Sequence, residues 1–165
     1  MFGRELLTNK KEWITILKWG KPLLEIIKLE NGEIPSSSPS WTAIDNPVQD
    51  STQLETTEGD VTEANGEGGE LVDAYVKAST YQLTFQLFAK RGSEKPIEDN
   101  DGVILDEYAI RLTPEDSTLP GFMLPRCRVS VVDTFSSADG ERWQYTFRAL
   151  KPSTGAMKQE YTKEE

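Results

Sequence analysis

This sequence predicts a mainly β chain, folded as an antiparallel two-sheet sandwich or barrel with one flanking helix. Two patterns predict it. In residues 80–88 (TYQLTFQLF), Tyr81, Leu83, Phe85 and Leu87 alternate with Thr80, Gln82, Thr84 and Gln86. A period of two puts one side of a strand in a core and the other in water. Residues 141–150 (ERWQYTFRAL) repeat the pattern with Trp143, Tyr145, Phe147 and Ala149. Between the apolar runs stand turn signals such as Asn31-Gly32 and Asp139-Gly140. Short alternating runs separated by tight turns mark sandwiches and barrels.

The 165 residues suit one domain. Residues 5–19 space Leu6, Trp13, Ile14 and Leu17 at roughly helical intervals, with Thr8 or Asn9 as N-cap. The β-branched run Ile14-Thr15-Ile16 favours a strand in the second half, so both alternatives stay open there. Pro22 to Glu30 is β-rich and stops at Asn31-Gly32. Residues 34–51 carry Pro35, Pro39 and Pro47 among serines and form a long loop, anchored by Trp41 and Ile44. A polar, Thr-rich stretch and the flexible GEGGE at 66–70 follow. Glu70 to Lys90 is expected to be one long strand. Lys90 to Asp101 reads as a charged connection, and Tyr108, Ile110 and Leu112 then alternate. Cys127, Val129 and Val131 share a face. The chain ends in a polar tail from about residue 152, expected to fray. Tyr81, Leu83, Phe85, Leu87, Val129, Val131, Trp143, Tyr145 and Phe147 are the expected core.

Composition removes many chemistries. With one cysteine and no histidine, the chain can form no internal disulfide, no Cys-based zinc site and no Ser-His or Cys-His pair. We therefore expect no enzymatic activity, no cofactor and no metal needed for folding. The opening MFGRELLTNKKEW lacks the apolar core of a signal peptide. The net charge of −10 is concentrated: Glu30 to Val76 contains eleven acids and no Lys or Arg, and the rest is nearly balanced. Such a surface repels phosphate backbones, which disfavours nucleic-acid binding.

The individual site candidates are weak. Residues 97–108 put Asp99, Asp101 and Gly102 at the third, fifth and sixth places of a calcium loop, but Ile97 and Tyr108 stand at the first and twelfth. A polar turn is the better reading. The glycines of 66–70 lack a lysine and lie among acids, which rules against a phosphate cradle. Asp106 and Glu107 are adjacent, so on a strand they face opposite sides and make a poor glycosidase pair. Cys127 lies in an apolar alternation and reads as a packing residue. An alternative function is a small carbohydrate-binding sandwich, with Trp41, Trp143 or Tyr75 stacking on sugar rings.

From Trp41 to Gly92 the order of features is a Trp-containing loop (SWTAIDNPVQDSTQLETTEGD), an acidic stretch (EANGEGGELVDAYVKA) and an alternating strand (STYQLTFQLFAKRG). The closing part (DTFSSADGERWQYTFRALKPSTG) ends on Tyr145, Phe147, Leu150 and Pro152. In this the chain resembles the tail tube (major tail) proteins of tailed bacteriophages, a family related to type VI secretion tube proteins. The resemblance implies two packed sheets with a flanking helix, placed here at 5–19 or near 103–109. It also implies a homo-oligomeric ring of six, stacked into a tube, found in the virion tail after assembly in the host cytoplasm. On this reading Trp41, Ile44 and Val48 make subunit contacts. Glu55, Glu58, Asp60, Glu63, Glu67, Glu70 and Asp73 line an acidic lumen that lets DNA slide by repelling it. The partners are other copies of the chain and further tail proteins, with no membrane.

Overall fold

The computed structural model describes residues 17–163. Ten strands follow in order: β1 (Leu23–Lys28), β2 (Thr42–Ala43), β3 (Gln53–Thr57), β4 (Val61–Asn65), β5 (Leu71–Val76), β6 (Thr80–Phe88), β7 (Val103–Thr113), β8 (Gly121–Ser136), β9 (Gly140–Ala149) and β10 (Gln159–Tyr161). Eight of them form one sheet in the order β2-β1-β7-β8-β9-β6-β3, with β10 against β8, and β4 and β5 pair only with each other. Every pairing is antiparallel.

The sheet is curled around a single core. Leu24 and Ile26 of β1 belong to one buried cluster with Leu83, Phe85 and Leu87 of β6. In a flat sheet four strand spacings of about 4.8 Å would hold β1 and β6 roughly 19 Å apart. Leu24, Leu83 and Phe85 are nonetheless at most 1% exposed, so the sheet curls to cover its own inner face. The chain between β2 and β3 seals the gap: the Ile44 amide donates to Leu24 O at 2.8 Å, and the Val48 amide donates to Gln86 O at 2.8 Å. Ser51 secures this seam, its hydroxyl donating to Val48 O at 2.7 Å and accepting from the Gln86 amide at 3.1 Å. Of the expected sandwich or barrel, the structure shows one continuous eight-stranded antiparallel sheet whose two edges are bridged by residues 44–51, with the β4–β5 pair apart from it.

The expected core is where the alternation puts it. Leu83, Phe85, Leu87, Val129, Val131, Trp143, Tyr145 and Phe147 are buried, and Tyr81 is half-buried against them. Asn31 (φ 53°) and Gly32 (φ 77°) make the tight reversal after β1, closed by reciprocal Glu30–Glu33 backbone bonds of 2.9 and 3.0 Å. Two left-handed residues in succession suit Asn-Gly and few other pairs.

Three expectations need correction. Among the described residues there is no helix: residues 103–109 lie in β7, and residues 17–19 are irregular. The remainder of the 5–19 candidate lies outside the described residues. The long strand expected over 70–90 is two strands, interrupted at Lys77–Ser79. There Gly59 runs against the backbone of Lys77 and Ala78, leaving no room for a side chain, and the Lys77 amide turns to Asp60 O at 2.9 Å. The polar tail does not simply fray. Gln159–Tyr161 returns as β10 beside Gly121–Met123, the part of β8 that β9 leaves unpaired.

Candidate assembly surface

The loop residues assigned to subunit contact do not form one free surface. Ile44 is 6% exposed and lies in the core of its own chain. Its burial needs no neighbour, which corrects the expectation that a second subunit supplies it. Val48 is half-buried and belongs to the seam. Trp41 packs on the outer side of the sheet, against a small cluster of Ile27, Leu29 and Ala109.

That outer side holds a feature the linear sequence does not reveal. Arg111 of β7 stands opposite Glu25 of β1 and donates to both carboxylate oxygens at 3.1 Å. The Trp41 ring lies 4.2 Å from its guanidinium carbon and the Tyr161 ring 4.7 Å. One cation therefore fastens both the 34–41 loop and the C-terminal strand. Residue spacing carries no sign of this, since the four residues come from four separate parts of the chain.

A second charged cluster explains the calcium-like loop. The Lys95 ammonium donates to Asp99 at 2.8 Å and pairs with Asp133 at 3.0 Å, while Asp99 also accepts from the Gly102 amide at 2.7 Å. Asp99 is thus engaged by a lysine, whose hydrogen bond holds its carboxyl below its usual range. Among the described residues no group of three or more His, Cys, Asp or Glu side chains could hold a metal. Asp106 and Glu107 are likewise engaged in separate pairs, with Lys28 at 3.3 Å and Arg126 at 2.6 Å. Cys127 is fully buried, and burial pushes its thiol up, away from the reactive thiolate. Burial also pushes Tyr145 up to about 12, and its hydroxyl donates to Ile97 O at 2.8 Å.

Arg126, hydrogen-bonded to Glu107, holds that carboxyl below its usual range. A carboxylate whose folded pKa is depressed stabilises the fold fully above its unfolded pKa, near 4, and loses this as pH falls through the folded value. Urea unfolding at a series of pH values should therefore show stability falling below about pH 4. Glu107→Gln should flatten that fall, and an unchanged slope in this variant would contradict the assignment.

The acids proposed for a lumen, Glu55, Glu58, Asp60, Glu63, Glu67, Glu70 and Asp73, are all exposed. Most of them ride on the β4–β5 hairpin, whose strands are exposed along their whole length. Because Glu63 stands opposite Ala74, and Asp73 opposite Ala64, the two strand acids face opposite sides. The hairpin is not an acidic wall on one face and an apolar one on the other. It instead exposes Val61, Leu71, Val72, Tyr75 and Val76 at 46–69%. An isolated two-stranded hairpin is marginal in water, and clustered exposed apolar groups usually mark a contact surface. The LVDAYV run carries this signal in the sequence, masked by its near-continuity with the strand that follows. No protein-family model matches the chain, and no match is found among curated proteins.

Proposed function

We propose that this protein is a structural subunit that assembles with copies of itself into a ring or tube of the phage tail-tube type. The observation that carries the reading is the β4–β5 arm, with five large apolar side chains in water and no other strand beside it. Joined to copies of the chain, the arm would bury those groups, each worth about 1.5–3 kcal/mol when fully covered. The six-fold ring, the stacking into a tube and the placement in a virion tail come from the resemblance. Acids of residues 55–73 left uncovered by neighbours would give the channel its negative charge.

A carbohydrate-binding module would need a platform of exposed aromatic rings. Trp143 is 9% exposed and Trp41 is held against Arg111, so of the three rings proposed for it Tyr75 alone remains open. This favours the assembly reading. The test is negative-stain microscopy and sedimentation velocity on concentrated protein. Rings or filaments are expected. A variant with residues 61–76 replaced by Asn-Gly should stay monomeric with an unchanged circular dichroism spectrum in the strand region. A wild-type chain that is monomeric at every concentration would overturn the proposal.

A further inference from the structure

The outer face of β7, β8 and β9 carries an arrangement that nothing within the described chain satisfies. Arg128 and Arg148 stand directly opposite each other on adjacent strands. Like charges in that position repel, so the pair costs stability. Arg128 is partly compensated, reaching Glu107 at 3.5 Å and the Leu105 carbonyl at 2.6 Å. Arg148 is exposed and makes no ion pair among the described residues. Beside them three apolar side chains point into water: Leu105 at 83% exposure, Val103 at 57% and Val132 at 55%. They share the outer face because their neighbours Ile104 and Val131 are buried and Val103 stands opposite Ser130. The patch is therefore apolar and cationic.

The β4–β5 arm is its complement. It is apolar and acidic, with Glu63, Glu67, Glu70 and Asp73 and no Lys or Arg anywhere from Glu30 to Val76. Its strands pair with no strand of the barrel, so the arm does not cover the patch of its own chain. We infer that the arm of one copy docks on the β7–β9 outer face of the next through the side that carries Val61, Glu63, Val72 and Val76, with Glu63 meeting Arg148 and Arg128 and the valines covering Leu105, Val103 and Val132. This rests on the self-assembly reading and names the two surfaces it uses. Because arm and patch are different parts of one chain, the contact can repeat head-to-tail from copy to copy, as the ring or tube reading requires. Such contacts close into rings or run on as filaments, whereas a reciprocal exchange of arms between two copies, or a contact of one patch with itself, stops at a dimer.

The geometry allows a test that a general stickiness would fail. An arm variant carries Glu63→Lys and Val72→Ser, and a patch variant carries Leu105→Ser and Arg148→Glu. All four positions are exposed, and circular dichroism with thermal melting checks that each variant keeps its fold. Each variant alone should sediment as a monomer where the wild type assembles. Mixed in equal amounts, they should form a dimer of one copy each, through the intact arm of the patch variant and the intact patch of the arm variant. That dimer should grow only weakly, since the surfaces left over regain the charge match in part but not the apolar contact. Combining all four substitutions in one chain should restore part of the charge match, and wild-type assembly should weaken as salt is raised. If the patch variant assembles as the wild type does, or the mixture stays monomeric, the head-to-tail assignment is overturned while self-assembly stands. A wild-type chain that never assembles overturns both.

Discussion

Replacing Phe85 with alanine is expected to lower the stability of the barrel by about 3–5 kcal/mol, the usual cost of deleting a buried aromatic ring. Phe85 is 1% exposed and its ring stacks on Tyr145 and Phe147, with centroids 5.7 Å away in both cases. It also stands directly opposite Tyr145 across the β6–β9 pairing, so the three rings form the middle of the core. A closed sheet cannot collapse readily onto the space left behind, because its strands are held at fixed spacing by the ladder. With total stabilities of about 5–15 kcal/mol for domains of this kind, such a loss brings the chain close to unfolding. Urea titration followed by tryptophan fluorescence should show the midpoint falling with little change in slope. A midpoint within a few tenths of a molar of wild type would mean that the ring is not at the centre of the core.

The second large effect is expected at Arg111. Its replacement by alanine removes the cation between Trp41 and Tyr161 and leaves the Glu25 carboxylate, 13% exposed, without its partner. The combined loss is about 2–4 kcal/mol, from two stacking contacts and one largely buried unpaired charge. A second signature is more specific. Because one guanidinium holds both the loop and the C-terminal strand, amide exchange should speed up together at residues 35–43 and 159–161. Arg111→Lys should restore the charge but not the flat, two-pronged contact, and so recover only part of the protection. Trp41→Ala should loosen the loop more than the strand. Protection of both segments unchanged in Arg111→Ala would show that the clamp holds neither.

What the residues settled by themselves was the class of structure, the faces of its central strands and the chemistry it lacks. The alternation in 80–88 and 141–150 is a local property: side chains two apart share a face whatever lies across from them. Buried Leu83, Phe85, Tyr145 and Phe147 could therefore be named in advance, as could the Asn31-Gly32 turn. The acidic bias of residues 30–76 is likewise a plain count. Only the tertiary structure decided what stands opposite what. Ile44 goes to the inner core and Trp41, three residues earlier, to the outer face, because the loop crosses the seam between β1 and β6. Arg128 meets Arg148 across twenty residues of chain, and Arg111 gathers Glu25, Trp41 and Tyr161 from far apart. The break at Lys77–Ser79 depends on Gly59 passing close by, and it turns the 61–76 hairpin from a continuation of the sheet into a free arm. Partners brought together by chain closure leave no trace in sequence spacing. The surfaces proposed for assembly arise from such pairings, and for that reason they had to be read from the fold.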